Sequence, residues 1–299
     1  GIQGMGGVVL LYKSLDLLDW QYLGILHNKN PQEPEEVPCG TMWECPSFFP
    51  LGEKWVLLVS TCKQIGPVST LYFTGDYYNN RFHPDGPAHK LDHGAGTWFY
   101  APQTLLDASC ERVMFGWLRE ARGPDEMKNA GWSGVMSLPR RLTLGEDGDL
   151  VCTPVPETAS MRRRTEVLER NGQISNVVTG ASMEILLHVR QDTEMWSGIV
   201  LITEKPSEQP VLIAWDSNKR EVLVDCRHAG GLLSSLPLEK TEKEEFLLHI
   251  FVDSSVLEVF VDDRLAISAR FYVREPQSLR VQIQGVVRAE VFLCRLNPK

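Results

Sequence analysis

The chain has 299 residues, 43% of them hydrophobic and 23% charged, a globular composition that excludes a disordered polypeptide. A formal net charge of −9 argues against nucleic acid and anionic membrane as partners. No apolar stretch reaches the length of a membrane span.

A glycine-rich stretch opens the sequence and passes at once into an apolar run, Val8 to Tyr12, read as a strand. Strand-like segments then recur: "DLLDWQYLG", "KWVLLVS", "STLYFTGDY", "RVMFGWLRE" and "GVMSLPRRLTL". Turn-forming clusters separate them, among them Asn79-Asn80, Pro84-Asp85-Gly86 and Gly145 to Gly148. Many short strands without long helical periodicity predict an all-β propeller, barrel or sandwich. The charged segment 156–172, "PETASMRRRTEVLERNG", reads as a linker with one short helix capped by Gly172. After it the alternation is cleaner. In "HIFVDSSVLEVFVDD" two alternating runs flank a polar turn at Asp253 to Ser255, a hairpin of a two-layer stack, so residues 173–299 are expected to form a β-sandwich.

One carboxyl group stands out. Glu44, in "TMWECPSFFPL", lies between an indole and a thiol just ahead of a strand. Apolar surroundings disfavour the charged form of a carboxylic acid, the condition that suits a general acid, although an isolated Glu is more often a surface residue. The seven cysteines are scattered and lack C-x-x-C or Cys/His ligand spacing, so reduced, buried thiols are expected and no metal or cofactor is. No Asn-x-Ser/Thr acceptor occurs and no signal-peptide pattern is visible, which leaves localisation unassigned.

Four segments in order carry a resemblance: "MWECPSFFPL", "DHGAGTWFYAPQTL", "FGWLREAR…GWSGVMSLPRRLTL" and "LHIFVDSSVLEVFVDD". They resemble glycoside hydrolase family 32, the invertases, inulinases, levanases and related β-fructosidases. The resemblance implies a five-bladed β-propeller with a funnel-shaped site, here residues 1–155, followed by the 156–172 linker and the 173–299 sandwich. It implies retaining hydrolysis of sucrose or a fructan oligosaccharide, without a cofactor, by a nucleophile and an acid/base about 5–5.5 Å apart. Glu44 matches the acid/base. The family's nucleophile Asp sits in an Asn-Asp-Pro motif and a second Asp in an Arg-Asp-Pro motif. Neither occurs in this sequence, and Ser47 stands where many relatives carry Asp. The resemblance therefore implies an incomplete propeller whose N-terminal blades are absent. It also implies a chain impaired alone and either self-association or a separate N-terminal segment as partner. A non-catalytic fructan-binding or self-assembling relic of the family is the alternative.

The remaining candidates each admit two readings. Trp43 and Cys45 either wall the pocket beside the acid or fill the blade core. Tyr100 and Gln103 either line the funnel or anchor a strand, and Trp117 and Trp132 either stack on sugar rings or fill space. Arg119 and Glu120 either bind fructose hydroxyls or form a solvated ion pair with each other. Asp76 and Asp92 read as turn acceptors, His89 and His93 show no metal spacing, and Met161 to Arg164 reads as a solvated linker face.

Overall fold

A computed structural model describes residues 6–29, 37–64, 66–169, 180–191, 196–203, 211–239, 243–273, 279–284 and 287–294. The chain is all-β and divides into two compact units. The first comprises Gly1–Asp92, Phe99–Trp117 and Arg141–Val151; the second comprises His93–Trp98, Leu118–Arg140 and Cys152–Lys299.

Propeller-type sheets make up the first unit. An antiparallel pair, Val8–Lys13 with Gln21–Asn28, is joined by a turn whose amides are held by side chains. Ser14 Oγ accepts from the Leu17 amide at 2.8 Å, and Asp16 Oδ1 accepts from the Leu18 and Asp19 amides, both at 2.9 Å. A meander follows: Met42–Leu51, Lys54–Lys63, Gly66–Tyr78 and Arg81–Pro84, with His89–Lys90 also paired to Gly66–Tyr78. The turn at Asn79-Asn80 has φ of 53° and 58° at its two central residues, the left-handed pair that a tight hairpin demands and that Asn tolerates. Asp76 is not a turn acceptor: it lies within the strand Gly66–Tyr78 and reaches Lys54 on the neighbouring strand at 3.5 Å. A third sheet contains Phe99–Leu106, Arg112–Leu118, Arg140–Leu144 and Leu150–Pro154. Gly116 is obligatory there, since a Cβ at that position would stand 2.3 Å from the Phe99 ring.

Two antiparallel sheets build the sandwich of the second unit. One orders its strands Arg162–Glu169, Val287–Cys294, Ser182–Arg190, Glu245–Asp253, Val256–Val261 and Leu265–Arg270. The other orders Leu233–Pro237, Glu221–Asp225, Val211–Asp216, Ser197–Ile202 and Arg280–Gln284. Ile185 and Ile250 face each other across one sheet, Ile199 and Ile213 across the other, and all four are wholly buried in a core shared with Trp215 and Val259. Burying each such side chain contributes roughly 1.5–3 kcal/mol.

Segment 156–172 departs from the helix expected of it. Pro156–Met161 is a short 3-10 turn, and Arg162–Glu169 continues as an edge strand paired with Val287–Cys294; Gly172 lies outside the described residues. Nor is Arg162 a solvated linker residue. Its guanidinium grips Glu184 through two bonds of 2.6 Å and lies 4.1 Å over the Phe292 ring, which fixes the strand to the sheet. All seven cysteines are free, yet only Cys152 and Cys226 are buried, while Cys45 and Cys110 are exposed. A helix, Pro124–Ala130, starts on proline and ends at Gly131, whose φ of 77° is the left-handed conformation of a helix end.

Candidate active site

Glu44 belongs to the strand Met42–Leu51, where it pairs with Ser60. The ladder slips between Glu44 and Ser47, and Cys45 takes a positive φ of 48° at that bulge. Successive side chains of a strand point to opposite faces. Trp43 is therefore buried in the core with Phe73 and Leu57, its Nε1–H donating to the Cys39 carbonyl at 2.9 Å. Glu44, half-buried, occupies the other face, so the indole beside it in sequence is no wall of its surroundings. Cys45 is exposed at the bulge.

The group that does meet Glu44 is Tyr100, on the strand Phe99–Leu106. Its hydroxyl donates to Glu44 Oε2 at 2.8 Å. Burial, and then this bond to the carboxylate, push the Tyr100 phenol well above its ordinary value, which keeps it a proton donor. Two bonds hold the tyrosine's strand in place. The Ala101 amide donates to Ser60 Oγ at 2.9 Å, and Thr70 Oγ1 donates to the Phe99 carbonyl at 2.9 Å. Ser60 and Thr70 are buried polar residues of the Glu44 sheet. Sequence reading did not single out either one; their only signal was a hydroxyl among apolar strand neighbours.

Other candidates of this unit stand apart from that bond. Gln103 is exposed, Trp117 is 41% exposed, and Ser47 Oγ lies 3.2 Å from Thr104 Oγ1.

In the second unit, Arg119 and Glu120 do not pair with each other. Arg119 Nη1 donates to Thr97 Oγ1 at 2.9 Å. Glu120 is half-buried, its side chain 5% exposed, and is bound by Arg122, whose Nε and Nη2 donate at 3.0 and 2.8 Å. The amides of Ala121, Arg122 and Gly134 and the Tyr272 hydroxyl also donate to it. Burial works to raise the Glu120 carboxyl, and these donors, Arg122 foremost, overcome it and hold the group well below the usual carboxylate range. Arg122 is the residue that reading the sequence missed, two positions beyond the glutamate. Its guanidinium also lies 4.1 Å over the ring of Trp132, which is 44% exposed. Buried Arg270 donates to the carbonyls of Leu118 and Arg119, both at 3.1 Å, and so fixes the start of this loop.

Two family models match most of the chain. Residues 1–154 match the model described as the glycosyl hydrolases family 32 N-terminal domain, and residues 156–290 match the family 32 C terminal model. A sucrose-6-phosphate hydrolase of Zymomonas mobilis is 29% identical over 287 residues, covering 87% of this chain and 52% of that protein. One from Vibrio alginolyticus is 29% identical over 304 residues, covering 96% and 58%. The chain thus spans little more than half the length of these curated relatives. Among solved structures, the Bombyx mori GH32 β-fructofuranosidase superposes with a TM-score of 0.79 at 24% identity, covering 96% of this chain and 60% of that one. Sucrose-6-phosphate hydrolase from Lactobacillus gasseri gives 0.80 at 20% identity, covering 98% and 62%. Both share the fold.

Proposed function

Because this chain belongs to glycoside hydrolase family 32, we propose that it serves the retaining hydrolysis of β-fructofuranosides, sucrose or fructan oligosaccharides, with Glu44 as the acid/base. The observation that carries this reading is the Tyr100 hydroxyl set 2.8 Å from Glu44 Oε2. It occupies one carboxyl oxygen with a donor and leaves the other to exchange a proton with a glycosidic oxygen or a water. Trp43 and Cys45 act on the acid through the backbone, by fixing the strand and its bulge. Gln103 and Trp117 supply exposed polar and aromatic surface for substrate. Arg119, Glu120 and Trp132 form a rigid loop, in which Trp132 is the substrate-facing member and Glu120 its anchor.

Double displacement needs a second carboxyl group as nucleophile. The sequence carries neither Asn-Asp-Pro nor Arg-Asp-Pro, so the polypeptide alone turns over poorly. Assays of the wild type and of Glu44→Gln on sucrose, 1-kestose and inulin test the assignment, alone and with the N-terminal half of a relative added in trans. Activity that appears on addition and falls with Glu44→Gln supports it. Full activity of Glu44→Gln refutes it.

A second reading, self-association, is favoured by the hairpin Val8–Asn28. Leu15 is 94% exposed and Leu18 83%, beside exposed Leu10, Tyr12, Leu17 and Trp20. An apolar patch of this kind is a contact surface, and a second copy of the chain is its proposed occupant. Sedimentation velocity over a wide concentration range should show a dimer that Leu15→Asp with Leu18→Asp dissolves. A monomer at every concentration refutes it.

A further inference from the structure

Three neighbouring strands of the first unit carry a polar residue at the same register position. Glu44 of Met42–Leu51 lies directly opposite Ser60 of Lys54–Lys63, and Ser60 lies directly opposite Thr70 of Gly66–Tyr78. Residues paired in this way present their side chains to one face, with Cβ atoms about 4.5–5.5 Å apart. Glu44, Ser60 and Thr70 thus form a row across the sheet. The row grips three consecutive residues of the strand Phe99–Leu106. Thr70 Oγ1 donates to the Phe99 carbonyl at 2.9 Å. Glu44 Oε2 accepts from the Tyr100 hydroxyl at 2.8 Å, and Ser60 Oγ accepts from the Ala101 amide at 2.9 Å.

Packing alone does not account for this row. Ser60 and Thr70 are 0% and 3% exposed, among buried apolar neighbours such as Val59 and Leu71. A hydroxyl in such a place costs stability unless it is hydrogen-bonded. Both are bonded, to backbone groups on either side of Tyr100. The backbone they hold is strained. Ala101, immediately after Tyr100, has a φ of 48°, and Cys45, immediately after Glu44, has a φ of 48° as well. A left-handed conformation at a residue with a side chain persists only where its surroundings fix it. Ser60 serves both strained points, since its hydroxyl holds the Ala101 amide and its backbone pairs with Glu44. We infer that Ser60 and Thr70 are positioning residues, which hold the Tyr100 hydroxyl, and through it the Glu44 carboxyl, in place for proton transfer. The inference rests on the proposed role of Glu44 as acid/base.

The test uses the full chain labelled with ¹³Cζ-tyrosine. The Tyr100 resonance, identified by its loss in Tyr100→Phe, should shift in Ser60→Ala and in Thr70→Val. Thr70→Ser, which keeps the donor, should restore it. Thr158→Val removes a buried hydroxyl bond of the same kind in the second unit, to the Val155 carbonyl at 2.8 Å. That variant should lower the urea midpoint and leave the Tyr100 resonance in place. With turnover restored by the N-terminal half of a relative, Ser60→Ala and Thr70→Val should lower kcat about 10- to 100-fold, the weight of a misplaced group, and barely change KM. Should Ser60→Ala not fold, Thr70→Val and Thr70→Ser decide the matter between them. A Tyr100 resonance that stays in place while the urea midpoints fall overturns the inference, because the hydroxyls then hold only the fold. So does a shift as large in Thr158→Val, a shift that Thr70→Ser fails to restore, or an unchanged kcat. The expected shifts in a chain without fructosidase activity under any condition uphold the grip on Tyr100 and remove the proposed function instead.

Discussion

The strand around Glu44 and the loop around Glu120 each set a carboxyl group close to an aromatic residue in sequence, and they furnish it with very different company. Among the described residues Glu44 accepts one side-chain hydrogen bond, from Tyr100, and it is half-buried. Glu120, also half-buried, is covered by the guanidinium of Arg122, the Tyr272 hydroxyl and three amides. A carboxylate so saturated is locked in its ionised form and organises a loop. One that meets a single side-chain donor keeps lone pairs open to a ligand. Sequence motif alone does not distinguish the two; the count of donors does.

The sharpest way to break this comparison is to neutralise both carboxyls. Glu44→Gln should cost turnover a factor on the order of 10² to 10⁴. Its unfolding free energy should stay within about 0.5 kcal/mol of wild type. Glu120→Gln should do the reverse, losing stability because Arg122 is left beside a neutral group. Parallel fructan assays and urea titrations check the pair, and an equal stability loss in both variants would erase the distinction.

Next in size is the buried pair of Arg140 and Glu258, joined at 2.6 Å, with Ser268 Oγ and the Leu138 amide completing it. Arg140→Ala should destabilise the second unit by about 3–5 kcal/mol, since it strands a buried carboxylate. Chemical denaturation followed by Trp215 fluorescence reads this out. Arg140→Met combined with Glu258→Leu should recover most of the loss.

A smaller effect tests a carboxyl of intermediate kind. Buried Glu184 is bound by Arg162 and, at 2.8 Å, by His249 Nε2, while His249 Nδ1 lies 3.4 Å from Asp263. Burial works to raise Glu184, but its two cationic partners bring it down to about 2 from 4.5. Burial works to lower His249, but Asp263 and Glu184 raise it above 6.5. The Glu184 contribution is complete above pH 4.5 and lost as pH falls toward 2; that of His249 is complete below pH 6.5 and lost as pH rises through its folded value. Thermal midpoints should therefore peak between these limits, and His249→Gln should flatten the alkaline side by on the order of 1 kcal/mol. A steeper alkaline fall in the variant would contradict the assignment. The smallest effect belongs to Asp76, whose contact with Lys54 is exposed: Asp76→Ala should leave the urea midpoint unchanged.

Much of this molecule was legible in its sequence where local chemistry and fold agree. Asn79-Asn80 could only be a tight turn, and the run around Asp253 to Ser255 could only be a hairpin, because side-chain period and turn residues concur. The strand Arg162–Glu169 was hidden because charged side chains masked its alternation; the carboxylate that holds Arg162, on Glu184, lies 22 residues away and enters no local pattern. The helix Pro124–Ala130 was legible in principle from Gly123-Pro124-Asp125-Glu126 and Gly131 but is too short for periodicity to show. At the site, the motif marked Glu44 and Tyr100 separately. Their bond crosses 56 positions and was beyond any local reading. The indole beside Glu44 misled, because adjacency along a strand is opposition across it.

The pair of Arg140 and Glu258 also bears on how this fold can drift. Either residue replaced alone passes through a state with one stranded charge in the core. A lineage can exchange the pair for apolar residues only by crossing that valley in two steps, or by accumulating surplus stability elsewhere first. The ion pair is thus a ratchet on sequence change: costly to leave one residue at a time, whether or not a better-packed alternative lies on the far side.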